Sequence, residues 1–396
     1  LAAPELDLDA QGGPYGVAVS GGADSLALLL ASHAQGLAAR AVTVDHGLRP
    51  EAAAEAAQVA RICAARGIPH ETRRLDLSDG PALQARARDA RYRALGAWAR
   101  THGLRAVLLG HTADDVAEGF VMRLADGAGL DGLAAMTPRL ERDGAVFLRP
   151  LLSVSRRALR DWVEAQGLVP VDDPSNADPR FERVRARHLI AGLGIDPVQI
   201  AASATALRMA RNALERRARE IVAEHVTFDW GDWLIPRETM DALLRDDPEH
   251  ARRLLLAALA EIGGASHPPR RAKQEELLRR AAAARQTTLA GCLLTWTSDR
   301  LRVSREPAEA AAAPPAPLGA LWDGRWRVTA QTETPPDAHV AALGEAVSDF
   351  PWRESGLPRQ SLLASPAIWS ESRPIAAPLA HPEPGWTVEC LRRRGS

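Results

Sequence analysis

Between the apolar run Val17-Ala18-Val19 and a helical pattern that follows at once lies Ser20-Gly21-Gly22-Ala23-Asp24-Ser25. Two adjacent glycines permit a tight turn with positive φ. Such a turn aims backbone N–H groups and a helix N-terminus at one point, which favours an anion. Ser20 and Ser25 add hydroxyl donors. Asp24 would repel a bare phosphate, but it makes sense where Mg2+ bridges a carboxylate and a polyphosphate. The plainer alternative is a serine–glycine turn in which Asp24 caps the helix. The lysine of G-x-x-x-x-G-K-[ST] and the spacing of G-x-G-x-x-G are both missing, so neither of the two commonest nucleotide turns is present.

A second polar group is His111, Asp114, Asp115 and Glu118. Asp115 and Glu118 stand at i and i+3, on one helix face and able to act together. The same acids could simply complement the dipole of a helix start. Asp45-His46 follows another apolar run and reads either as a ligand border or as a strand-ending turn. Arg88, Arg91 and Tyr92 share a helical stretch, and Arg180, Arg183, Arg185, Arg187 and His188 form a basic one suited to phosphate contacts. Arg270, Arg271 and Lys273 could serve the same contacts, although such a charge run is more often just a solvated face. Trp322, Trp326 and Trp352 could stack on bases, although burial in a small core suits them better.

The elements that must position these groups alternate in type. Strands are expected at Gly16–Val19, Ala41–Val44, Glu71–Leu75 and Ala106–Leu109, with helices over Ala23–Ala34, Glu51–Arg66 and Ala82–His102. This rhythm predicts an α/β fold, a parallel sheet with helices on both faces. Ligands of such sheets bind beyond the carboxyl ends of the strands, where Ser20 to Ser25, Asp45-His46 and His111 to Glu118 all fall. From Asp196 to Arg285 the pattern is helical, with no strand signal until Gln286. The Ala/Pro-rich run Pro307 to Pro317 reads as a linker. The expected organisation is a catalytic domain over 1–194, a mostly helical domain over 195–306, and a small α+β domain over 318–396.

Composition narrows the class. At 396 residues the chain fits two or three domains, and 46% hydrophobic with 25% charged residues is a globular balance. A net charge of -1 means that any nucleic-acid surface must be a local patch. Cys63, Cys292 and Cys390 form no CxxC pair, which argues against structural zinc, a cysteine-held cluster or a disulfide framework. No apolar stretch suits a membrane span and no signal core is visible. A cytoplasmic protein is expected.

The turn resembles the SGGxDS signature of the PP-loop ATP pyrophosphatases, which grip the pyrophosphate of ATP. Further segments resemble one family among them, the tRNA(Ile)-lysidine synthases. Val44-Asp45-His46-Gly47-Leu48-Arg49 is similar to their VDHGLR element, and Ala87 to Tyr92 to their ARxxRY helix. Gly110 to Glu118 followed by Gly129 to Leu133 is similar to their GHxxDDxxE…GxxGL block. Arg149-Pro150-Leu151-Leu152, Asp173-Pro174-Ser175-Asn176, Arg183 and Arg187 continue the pattern. The likeness is strong from Tyr15 to His188 and weakens beyond. It departs at Val116, Gly119, Asp126, Ala128 and Val184.

The resemblance implies a ligase, with an adenine-nucleotide-hydrolase-like sheet, that attaches free L-lysine to the wobble cytidine of an isoleucine tRNA with a CAU anticodon. ATP and Mg2+ are implied with it. Ser20, Gly21, Gly22, Ala23, Asp24 and Ser25 would hold pyrophosphate, Asp24 serving Mg2+. Asp45 and His46 would border the nucleotide. Asp115 and Glu118 would bind the lysine ammonium groups or, alternatively, metal. Arg88 or Arg91 would take the lysine carboxylate, and Arg183, Arg185 and Arg187 the tRNA. A tRNA thiolase on the same ATP domain would need cysteine pairs that this chain lacks. A diverged nucleotide-binding regulator with the loop retained is the other alternative, kept open by the departures. The oligomeric state is not legible.

Overall fold

The computed structural model describes residues 3, 4, 6, 8, 13–45, 47, 52–75, 80, 83–134, 136–172, 180–264 and 268–391. The chain divides into two compact units, Leu1–Asn212 and Ala213–Ser396.

In the first unit the elements run β1 (Tyr15–Ala18), α1 (Ala23–Ala34), β2 (Ala38–Asp45), α2 (Ala52–Ala64), β3 (His70–Arg74), α3 (Leu83–Thr101), β4 (Ala106–Leu109) and α4 (Ala113–Ala125). They continue as α5 (Leu130–Leu133), the hairpin β5 (Arg139–Arg142) and β6 (Ala145–Leu148), α6 (Arg156–Ala165) and α7 (Glu182–Gly192). The helix α8 (Pro197–His225) carries the chain onward. The sheet order is β3-β2-β1-β4-β6-β5. All neighbours are parallel except β5, which pairs antiparallel with β6.

Side-chain alternation along the strands builds two cores. Val17, Val19 and Leu108 enter a cluster with Leu26, Leu29, Val59, Leu159 and Val163, from α1, α2 and α6. Ala18, Val107 and Leu109 point the other way, onto Tyr92, Leu95 and Trp98 of α3 and Phe147 of β6. Both faces are thus covered, which is why the strands read as near-continuous apolar runs. At Gly16 a Cβ would lie 2.5 Å from the Trp98 ring, so only glycine lets α3 lie this close to β1.

The second unit holds two further cores. Its first part contains β7 (Thr227–Asp229), β8 (Asp232–Pro236), α9 (Arg237–Asp246), α10 (Pro248–Ala258), a π-helical turn (Leu259–Gly263), α11 (Arg271–Ala283), β9 (Gln286–Leu289), β10 (Cys292–Trp296) and β11 (Arg300–Arg305). The strands form one sheet, β7-β8-β11-β10-β9. The stretch expected to be purely helical therefore carries the hairpin β7–β8. Its turn, Asp229-Trp230-Gly231-Asp232, has positive φ at Trp230 and Gly231. That conformation suits a two-residue hairpin loop, and a non-glycine first residue concealed the signal.

The stretch expected to be a linker is also structured. It contains α12 (Pro307–Ala312) and β12 (Ala316–Pro317), and Ala310 is fully buried in the last core. Pro307 stands in the first turn of α12, where its missing N–H costs nothing. Then follow β13 (Leu321–Trp322), β14 (Trp326–Ala330), β15 (His339–Ala342), α13 (Arg359–Leu363), β16 (Pro366–Ser370), β17 (Arg373–Ala376) and β18 (Trp386–Cys390). Trp322 and Trp326 are fully buried here, so they build core and present no face to a base.

Candidate active site

The strand order reverses between β1 and β4, because the chain runs outward through β2 and β3 and then returns to β4 on the other side. At such a switch point the loops leaving the two strands diverge and leave a crevice. The loop after β1 is Ser20 to Gly22, and the loop after β4 is Gly110 to Thr112.

The first loop is tied to itself. Ser20 N donates to Ser25 Oγ at 3.1 Å, and Ser25 Oγ donates to Gly22 O at 3.0 Å. Of the two glycines only Gly21 needs its freedom, with φ +90. Gly22 is ordinary extended backbone at the N-cap of α1, and no side chain caps that helix. The first amides of α1 thus remain available to an anion. Gly110 permits the approach from the other side, since a Cβ there would sit 3.1 Å from the backbone of Asp24 and Ser25.

Asp24, on the first turn of α1, is drawn into a charge cluster. Its Oδ2 accepts from Arg156 Nε at 3.1 Å, while Oδ1 is buried with no hydrogen-bond partner among the described residues. Burial pushes its carboxyl up to about 6, against the pull of Arg156 and with help from Asp115 and Asp114. Arg156 also donates to Glu118 Oε1 at 3.3 Å and to Asp115 Oδ1 at 3.2 Å. Burial opposes its charge, yet Asp115, Asp24 and Glu118 outweigh this and raise its pKa.

The acids of α4 divide the work. Asp115 Oδ2 accepts from Thr112 N and Oγ1, at 2.9 and 3.1 Å, so it does serve the helix start. Its other oxygen faces Arg156. Asp114 Oδ2 accepts from the backbone N of Arg156 at 2.7 Å and anchors the start of α6. The Glu118 side chain is 3% exposed, and it also accepts from Arg187 Nε and Nη2 at 2.9 and 2.8 Å. A cleft of about 690 Å³ opens here, lined by Asp115, Glu118, Arg156, Arg88, Arg183 and Arg187 among others.

Arg156 joins this cleft to Asp24, next to the first loop. Residues 6–193 match the PP-loop domain family. A protein of Ruegeria pomeroyi named tRNA(Ile)-lysidine synthase is 43% identical over 94% of this chain and 90% of its own length. The chain belongs to the tRNA(Ile)-lysidine synthase family. A second protein of that name, from Novosphingobium aromaticivorans, is 53% identical over 50% of this chain and 63% of its own.

Against the lysidine synthase pattern, the expected residues fall unevenly. Arg183 and Arg187 lie one turn apart on α7 and both line the cleft, together with the buried Val184 beside them. Arg185 lies outside the lining and donates to Arg180 O at 3.1 Å. Arg88 lines the cleft, whereas Arg91 is not among its lining residues. Burial holds the Arg91 guanidinium below its ordinary value. Asp45 Oδ1 accepts from Gly47 N at 2.8 Å and closes its own turn. His46 and Asp173 to Asn176 lie outside the described residues. His111 is pushed down to about 4, chiefly by burial, and its Nδ1 has no partner among the described residues.

Val116, a departure from the family pattern, is buried against Ala201 and Ala204 of α8, so it alters packing on the side away from the acids. Arg156 is the central residue that the sequence did not single out. Its one local signal was Ser155 before it, which accepts from Ala158 N as the N-cap of α6. Nothing local ties it to acids 41 and 132 positions away.

Proposed function

We propose that this chain joins the ε-amine of free L-lysine to C2 of the wobble cytidine in an isoleucine tRNA with a CAU anticodon, using ATP. The observation that carries this reading is the two-signed cleft. Two carboxylates line it with Arg88, Arg180, Arg183 and Arg187, and Arg156 links it directly to Asp24 of the PP-loop. Lysine as a free amino acid presents two ammonium groups and one carboxylate, the complementary pattern.

In the first step the cytidine O2 attacks the α-phosphorus of ATP, the O–P bond forms, and the bond to the β-phosphate oxygen breaks to release pyrophosphate. Ser20, Ser25 and the backbone of Gly21, Gly22, Ala23 and Asp24 would hold that pyrophosphate. In the second step the lysine ε-nitrogen, having lost one proton, attacks C2. The C2–O bond breaks, AMP leaves, and the nitrogen sheds a second proton. Asp115 and Glu118 hold the ammonium and are the nearest acceptors for these protons. Arg88 suits the lysine carboxylate. Arg183 and Arg187 suit tRNA phosphates, and residues 195–306 are a further candidate to bind it.

Asp24 fits Mg2+. Among the described residues its Oδ1 is buried without a hydrogen-bond partner, and no trio of metal-ligating side chains gathers. That matches an ion which takes one or two carboxylates and completes its shell with phosphates and water. When bound, Mg2+ would neutralise the polyphosphate. These substrates place the enzyme in the cytoplasm.

Pyrophosphate release from ATP is measured with unmodified CAU-anticodon isoleucine tRNA, with and without lysine, and the tRNA is then weighed by mass spectrometry. A lysine-dependent lysyl mass on the wobble cytidine, lost in Asp24→Ala, is expected. Bound ATP with no adduct would leave a nucleotide-binding regulator as the better reading.

A further inference from the structure

One guanidinium in this site is shared three ways. Arg156 gives Nε to Asp24, Nη1 to Glu118 and Nη2 to Asp115, at 3.1, 3.3 and 3.2 Å. No pair is bidentate, and each contact is longer than the 2.7–2.9 Å usual between charged partners. Its root is fixed, because its backbone N donates to Asp114 at 2.7 Å. Its side chain is 29% exposed and can swing about that root. Arg187 independently compensates Glu118 at 2.8 Å. Glu118 therefore keeps a cation when Arg156 moves.

The three carboxylates that Arg156 touches are the ones the proposed reaction assigns to Mg2+ and to the lysine ammonium. This inference rests on that reading. Both incoming cations must compete with a guanidinium already in place. ATP changes the balance, because its polyphosphate brings negative charge beside Asp24 and offers the guanidinium new oxygens.

We propose that Arg156 is a resident counter-ion, drawn off the three carboxylates by the ATP polyphosphate, so that nucleotide binding opens Asp115 and Glu118 to lysine. Arg156 is a positioning residue in this scheme. It sets the order of binding, ATP before lysine, and keeps divalent cations from Asp24 until nucleotide arrives.

Two binding measurements test it, neither of which depends on turnover. The first is Mn2+ binding without nucleotide, by titration calorimetry or by the free-ion paramagnetic signal. Arg156→Ala is expected to bind Mn2+ at least tenfold more tightly than wild type. The second is lysine affinity with and without a non-hydrolysable ATP analogue. Wild type is expected to gain about tenfold with the analogue and Arg156→Ala less than twofold, its lysine site being open throughout.

Arg156→Lys, which keeps the charge but cannot span three carboxylates, is expected to fall between. It also serves if the alanine variant does not fold. Unchanged Mn2+ binding in both variants, or wild-type coupling in either, overturns the proposal. A wild type that makes no lysidine would instead overturn the proposed function. An active wild type with unmoved variants overturns only the role of Arg156.

Discussion

Replacing Asp24 by asparagine is expected to stabilise the ligand-free protein while abolishing its activity. In the folded chain burial lifts this carboxyl from 3.8 to about 6. A group whose folded pKa is raised contributes stability below its unfolded pKa and loses it as pH rises through the folded value. The window is thus from about pH 4 to about pH 6. At pH 7.5 the ionised Asp24 costs roughly two pKa units at 1.36 kcal/mol each, about 3 kcal/mol at most. Its side chain is 21% exposed, so solvent screening removes little of this. Asparagine keeps the size and an acceptor for Arg156 Nε without the charge. For a unit of this size 3 kcal/mol is about 6–12 °C in Tm. Urea unfolding at pH 7.5 and pH 4.0 reads the effect: a large gain at the higher pH should nearly vanish at the lower. A variant less stable than wild type at pH 7.5, or a gain undiminished at pH 4.0, would refute the reasoning.

Five other substitutions probe the site and its supports. Glu118→Gln should leave ATP-dependent adenylation of the tRNA largely intact and slow lysine transfer at least a hundredfold, the scale of a lost acid–base group, as read by single-turnover assays. Gly110→Ala should raise the KM for ATP about tenfold, because its Cβ pushes on the backbone of Asp24 and Ser25 at 3.1 Å. Arg183→Ala should raise the KM for tRNA more than Arg185→Ala does, with a difference that shrinks as salt is added. Gly16→Ala should destabilise the first unit by about 1–3 kcal/mol through overpacking against Trp98 and Leu104, measured by denaturant melts.

Several features were written locally and could be read without coordinates. The strands β1, β2 and β4 and helices α1 to α3 announce themselves by apolar runs and helical spacing, because strands covered on both faces leave little choice of residue, whereas β3 is polar and largely exposed. The PP-loop is a single stretch whose glycine, serines and aspartate act within six positions, so its chemistry survives as sequence. Asp115 and Glu118 are likewise fixed by one helical turn.

Other features depend on where distant segments meet. The hairpin β7–β8 turns through Trp230 at positive φ, which sequence preference disfavours and only the surrounding sheet stabilises. The run Pro307 to Pro317 looks like a linker until Ala310 is placed in a core. Arg183 and Arg185 are equivalent in the sequence, and only the way α7 packs on α4 decides that Arg183 lines the cleft. Packing of α6 on α1 and of α7 on α4 brings Arg156 and Arg187 onto carboxylates far away in the chain. Charge pairing has no period along a sequence, whereas hydrophobic burial does. The sequence by itself therefore determined the sheet, the loop and the pair of acids, while the cation that joins them was decided by tertiary packing.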